Sequence, residues 1–216
     1  MTLLVTRPQH DDATAYLSAW AEEVISTAKQ RGIEVTDLRD TNANKTCLGQ
    51  AIEENAPRLV FLNGHGGADC VFGHENNILI KVEDNHDLLA GKITYALACN
   101  AGQELGPRIS ETADSAFIGY SDKFIFPYSR SHVATPQNDP VARPFMAASN
   151  KVMISLLEGR RAQEASDLSK NSFLEEYNNY LSSDAGAAEA QIAQCLWWNM
   201  SKQVCLGEGD ARLTPN

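Results

Sequence analysis

The sequence predicts an α/β protein: a three-layer α/β/α sandwich around a mostly parallel sheet, with C-terminal helices packed on the sheet. Three observations predict it. The strand-like runs at 3–5, 59–62, 93–98 and 116–120 are continuously apolar rather than alternating, as strands covered on both faces must be. Stretches with apolar residues at helical spacing lie between them. And 216 residues with 43% hydrophobic and 21% charged side chains suffice for one buried core.

The first apolar run ends at Pro8. From Asp11 or Asp12 to Arg31 the residues Tyr16, Leu17, Trp20, Ala21, Val24 and Ala28 form a helical stripe closed by Gly32. Ile33, Val35 and Leu38 read as a second strand, and Leu48, Ala51 and Ile52 as a shorter helix ending before Pro57. The third strand, 58–62, runs into Asn63-Gly64-His65-Gly66-Gly67. Residues 68–91 are polar except for 78–80, an expected small edge strand or hairpin, with Cys70 and His74 placed in a surface loop. The fourth strand, 93–98, delivers Cys99-Asn100-Ala101-Gly102, followed by a helix over about 103–112 and a fifth strand, 116–120. Residues 124–126 read as a continuation of that strand or a separate short one. Pro136, Pro140 and Pro144 mark 128–144 as a long loop crossing the sheet edge, after which three helical stripes extend as far as Val204. The expectation is one domain over 1–206 and a frayed tail over 207–216.

With Lys+Arg 18 against Asp+Glu 28, the net charge of −10 disfavours nucleic acid and anionic membrane as partners, since both are recognised largely through Lys and Arg. No basic segment precedes a long apolar stretch near Met1, and no 18-residue window is apolar throughout, so neither a secretory signal nor a membrane span is expected. Five cysteines without a CxxC pair fit a reducing compartment and an expected cytoplasmic location. Cys47, Cys195 and Cys205 lie on helical stripes or near chain ends and need no chemical role.

In a parallel α/β sheet, functional groups gather at the carboxyl ends of the strands. Two consecutive core strands end there in His65 and Cys99, 34 positions apart. A thiol needs conversion to thiolate and a leaving amine needs a proton, and one imidazole can serve both steps. Gly64, Gly66 and Gly67 around His65 let a substrate backbone approach, and the amides of Gly66 and Cys99 are the natural donors to an oxyanion.

An apolar strand followed by His-Gly, then a second followed by Ala-Cys, resembles the caspase-like cysteine peptidases. Here these read LVFLNGHG (59–66) and ITYALAC (93–99), in that clan's order. The segments Cys99-Asn100-Ala101-Gly102 and Ala116-Phe117-Ile118-Gly119-Tyr120 are most similar to CHAT domains and gingipain-related peptidases. The resemblance covers roughly 60–120. It implies Cys99 as nucleophile, His65 as general base and acid, and the Gly66 and Cys99 amides as oxyanion donors of an endopeptidase, with a protein or peptide as substrate and no cofactor. Dimerisation through the sheet edge, as in caspases, stays open. Leu97 departs from the clan, whose caspases and metacaspases carry a polar pocket residue there. A buried carboxylate at Asp122, or at its competitor Asp69, would then favour Arg or Lys at P1.

Other readings of the same residues are weaker. His65, Asp69, Cys70 and His74 have the composition of a zinc set, but the spacing matches no standard site and no second Cys/His pair follows, so no metal is expected. A degenerate scaffold with the same fold would keep the strands and lack a reactive thiol. An amidotransferase-like hydrolase would need a histidine after the cysteine, and His132 is the available one. Trp197-Trp198 reads as a helix docking on the core, one ring of the two pointing away.

Overall fold

A computed structural model describes residues 1–181 and 186–213. The main sheet has six strands: β1 (Thr2–Arg7), β2 (Glu34–Arg39), β3 (Leu59–Asn63), β6 (Ile93–Leu97), β7 (Ala116–Tyr120) and β8 (Gln203–Gly207), in spatial order β2-β1-β3-β6-β7-β8. The first five run parallel and β8 pairs antiparallel with β7. Two short strands, β4 (Cys70–Phe72) and β5 (Ile78–Lys81), form a separate antiparallel hairpin.

The continuous apolar runs follow from the layers on both sides. Leu3, Val5, Phe61, Tyr95 and Ile118 face α1 (Asp12–Gln30) and α4 (Arg143–Leu157), where they join one buried cluster. Leu4, Val60, Leu62, Ala96 and Phe117 face the other way, against α2 (Lys45–Asn55), α3 (Leu105–Ser110) and the hairpin. Successive residues of a strand point to opposite faces, so a strand covered on both needs an apolar residue at every position. Beyond α4, α5 (Ala162–Tyr180) and α6 (Ala187–Lys202) form a third cluster around Phe145, Phe173 and Leu196. The three-layer α/β/α arrangement with packed C-terminal helices is therefore present. No helix among the described residues is long and apolar enough to cross a membrane.

Several elements differ from the sequence expectation. Of the two readings of 78–80 the hairpin is the one formed, but it packs on one face of the main sheet, with Val71, Leu79 and Ile80 fully buried. Cys70 is buried in β4 rather than in a surface loop, whereas His74 lies half-buried in the turn that joins β4 to β5. Residues 124–126 form no strand, because β8 already occupies the free edge of β7; they run irregularly between the core and α6. The crossing over 128–144 lies over α1, fixed where Trp20 Nε1 donates to the Pro136 carbonyl (3.0 Å) and Tyr16 Oη to Asp139 (2.7 Å). Residues 203–207 leave the helix and become β8, and the segment read as a frayed tail is packed through Leu213. Residues 214–216 of that tail lie outside the described residues.

Candidate active site

Parallel pairing of β3 with β6 aligns Leu59 with Ile93 and Asn63 with Leu97, so the turns bearing His65 and Cys99 leave the sheet side by side. The register continues one step further, Gly64 N donating to the Leu97 carbonyl (3.4 Å). Gly66 then lies against the cysteine backbone: a Cβ there would sit 2.2 Å from the Cys99 carbonyl oxygen and 3.0 Å from its nitrogen, so only glycine fits. The hairpin holds the histidine turn, through Phe72 N to the His65 carbonyl and Gly67 N to the Cys70 carbonyl (both 2.9 Å). The cysteine turn is fixed to the end of β7 by Asn100 N donating to the Asp122 carbonyl (3.1 Å) and Gly102 N to that of Tyr120 (2.9 Å). Asn100 itself takes a left-handed conformation (φ 62°), which asparagine tolerates better than most residues and which turns the chain sharply just past the thiol.

Two amides at this junction have no partner. The contact of Gly66 with Val71 uses the N–H groups of Gly67 and Phe72, so among the described residues neither Gly66 N–H nor Cys99 N–H donates to the protein. Both turns are partly exposed, so the two amides are open to a bound oxygen, as an oxyanion site requires.

The His65 side chain is held by a residue the sequence reading assigned only to a helix start. Its Nε2 lies 2.6 Å from Asp11 Oδ2. Asp11 is the N-cap of α1, with Oδ1 accepting from Thr14 N (2.8 Å). Burial pushes the Asp11 carboxyl up, but the Thr14 amide and His65 outweigh it and hold it at about 2. A carboxylate can only accept, so Nε2 carries a proton, and in the neutral ring Nδ1 is the basic nitrogen. Asp11 could have been suspected from its place: it follows β1, which adjoins β3, and so shares the rim with His65.

Cys99 is half-buried, and its Sγ lies 3.9 Å from the Phe124 carbonyl oxygen. Burial is the largest influence and pushes the thiol up; the Phe124 backbone and Lys123 oppose it and Asp122 adds to it, with the net shift upward, so the resting group is the thiol. The structure thus brings the two turns together while their side chains engage different partners: His65 with Asp11, Cys99 with Phe124.

The remaining candidates are placed as follows. Asp122 sits on the cysteine side, 37% exposed, with Oδ1 accepting from Lys123 N (2.8 Å) and Oδ2 3.9 Å from Lys202. Asp69 is 38% exposed, in the turn before β4, and lies 3.4 Å from Lys81. Neither is the buried, unpaired carboxylate that a basic P1 pocket would use. Leu97 is buried in the core facing α1 and α4, so this position lines no pocket. His132 lies in the crossing over α1, where it meets Ser131 (3.1 Å). The zinc-like sequence set does not assemble: His74 Nδ1 lies near Asp40 (3.2 Å) and Asp69 near Lys81.

Two cavities frame the site by contrast. The larger, about 740 Å³ beside Arg58, Gly91 and Asp114, opens at the amino ends of the parallel strands, away from His65 and Cys99. An apolar one of about 490 Å³, lined by Ile125, Phe126, Val141 and Ile192, adjoins the segment that touches the thiol. Compared with protein-family models and with curated proteins, the chain matches none.

Proposed function

We propose that the protein is a cysteine endopeptidase of caspase-like type, acting through Cys99 and His65. The observation that carries this reading is the contact of the Gly66 turn with the Cys99 backbone, which leaves two unpaired amides beside a thiol and an oriented imidazole. On substrate binding the thiol turns from the Phe124 carbonyl and passes its proton to His65 Nδ1, a side-chain rotation on the ps–ns scale. The sulfur attacks the peptide carbonyl, and the oxyanion is taken by the Gly66 and Cys99 amides, each worth about 3 kcal/mol in the transition state. The imidazolium returns the proton to the leaving amine. His65 then takes a proton from water, whose oxygen attacks the thioester and frees the thiol. Asp11 holds the ring in the tautomer that makes Nδ1 the base and stabilises the imidazolium.

The substrate is a protein or peptide, and a cytoplasmic location fits the five free cysteines. Dimerisation stays open. Asp122, partly exposed and beside Lys202, would select Arg or Lys at P1 only weakly, whereas the apolar cavity near Phe126 would favour Leu. A panel of fluorogenic peptides with Arg, Lys, Asp, Asn or Leu at P1 decides this. Cys99→Ala should abolish turnover with the fold intact, and persistent cleavage by that variant would overturn the assignment.

One observation favours a second reading, a catalytically inactive scaffold of the same fold: the resting thiol is protonated and lies on a carbonyl rather than on His65. Labelling with iodoacetamide separates the two. Selective alkylation of Cys99 that is lost in His65→Ala supports the enzyme, and no selectivity among the five thiols supports the scaffold.

A further inference from the structure

We propose that His10, Asp11 and His65 form a binding site for a divalent cation of the zinc class, and that its occupancy switches the base off. The inhibitory consequence rests on the peptidase reading above; the binding does not.

The strongest observation is His10. Its side chain is only 11% exposed, and both ring nitrogens are buried without a hydrogen-bond partner among the described residues. Buried imidazole nitrogens are ordinarily satisfied, so a ring with both left over needs a reason. The ring is held edge-on between His65 and His74, with centroids 6.0 and 5.8 Å away, and its Nε2 lies 3.7 Å from Asp11 Oδ2. That same oxygen is 2.6 Å from His65 Nε2. One donor atom from each of the three residues therefore lies within 4.8 Å of the others.

Zinc holds imidazole nitrogen and carboxylate oxygen at about 2.0–2.2 Å in a tetrahedron, which sets the donors about 3.4 Å apart. The three atoms are close to that spacing, and rotation of the His65 side chain, which is 40% exposed, brings the widest pair together. Two imidazoles and one carboxylate suit a borderline cation with a fourth position open to water. Calcium and magnesium, which take all-oxygen shells, are excluded by the donor types. Asp40 and Glu75 on the far side of His74 add negative charge around the cluster.

The site includes the nitrogen that Asp11 orients. A cation on His65 Nε2 displaces that proton, which reaches Nδ1 through solvent, so the neutral ring keeps one proton but no longer offers Nδ1 as a base. The cation also occupies the carboxylate that stabilises the imidazolium. No net proton or electron is lost, so removing the metal restores the site.

The test uses the full chain and the metals alone. Co²⁺ is titrated by its visible absorption, and Zn²⁺ by competition with a chromophoric chelator. Wild type is compared with His10→Phe, which keeps the ring packing and removes both nitrogens, with His10→Gln as a second variant, and with Cys99→Ala. The expected result is one tetrahedral Co²⁺ per chain, unchanged in Cys99→Ala and at least about tenfold weaker in both His10 variants, in line with the usual loss when a metal shell is disturbed. Zn²⁺ should suppress wild-type hydrolysis, EDTA should restore it, and His10→Phe should keep its basal rate while needing about tenfold more Zn²⁺. Equal affinity in the His10 variants, a thiolate-to-cobalt charge-transfer band that vanishes in Cys99→Ala, or no stoichiometric binding would each overturn the site. If no peptide is cleaved, the cobalt titration still decides the binding; if no metal binds, the hydrolysis assay stands unaffected.

Discussion

Asp11 serves two structures with two oxygens, and the two duties can be separated. Oδ1 caps α1 through Thr14 N, and Oδ2 holds His65. Asparagine is as good an N-cap as aspartate, so Asp11→Asn should keep the cap and lose only the stability that the charge supplies above about pH 4. Its amide nitrogen, however, would donate to Nε2 and drive the ring proton onto Nδ1, the atom proposed above to accept from the thiol. We expect kcat to fall about 10²–10⁴-fold, with KM little changed. Asp11→Ala should lose the cap as well, about 1 kcal/mol more than Asp11→Asn, while the freed ring samples both tautomers and keeps more activity. Paired kcat and unfolding measurements check this crossing pattern, and equal effects of the two substitutions would reduce Asp11 to a cap. The sequence showed Asp11 as a helix start because that signal is local. Its bond to His65, 54 positions away, depends on β1 lying beside β3, which no local pattern reveals.

At the scale of elements, the C-terminal segment shows why a short, polar stretch can be structural. Met200 and Val204 continue a helical spacing, yet the backbone leaves the helix at Gln203 (ψ 131°) and pairs with β7, from Tyr120 opposite Gln203 to Ala116 opposite Gly207. All five residues of β7 are buried, so without β8 the sheet would end in an open apolar edge. Propensity favoured helix and the unpaired edge favoured strand; the edge prevailed because pairing there is tertiary. Beyond Gly207, the Gly209 and Ala211 carbonyls accept from Gln163 N and Ala162 N (both 2.9 Å), satisfying two amides of the first turn of α5, while Ala211 and Leu213 are buried. A chain ending at Gly207 leaves those amides unpaired and uncovers the Leu213 site, and should lose about 2–4 kcal/mol of stability in urea. Hydrolysis should persist, since this segment meets the end of the sheet away from Cys99. An unchanged urea midpoint would mean that the segment frays after all. Two small apolar residues among polar ones were too weak a signal to read.

For the whole molecule, fold class was legible because both faces of the sheet are covered, which makes strand 59–62 apolar at every position and leaves Thr94 as the one small polar residue in 93–97. The rim holding His65 and Cys99 was legible for the same reason, each following such a strand. What escaped was long-range pairing: the place of Cys70–Phe72 in a buried hairpin, and the course of 128–144 over α1. That crossing is anchored by one buried carboxylate. Asp139 accepts from Tyr16 Oη (2.7 Å), Ser129 N (2.7 Å) and Val141 N (2.8 Å), joining α1 to both limbs of the loop. Burial pushes its carboxyl up, but these donors more than offset that and hold it below the ordinary aspartate range. Its stabilisation is therefore complete above the unfolded aspartate value of about 3.9 and is lost as pH falls from there through the depressed folded value. Asp11 works in the same direction, between about 4 and its folded value of about 2. Acid should unfold the protein steeply below about pH 4. In Asp139→Asn the amide nitrogen faces donors it cannot satisfy, so neutral stability should drop by about 2–3 kcal/mol, while the variant and the wild type converge as pH falls, because protonation has by then removed the same charge from the wild type. Urea midpoints measured from pH 7 down to pH 3 give both curves, and curves that stay parallel over that range would show that the Asp139 charge does not tie the crossing to the rest of the fold.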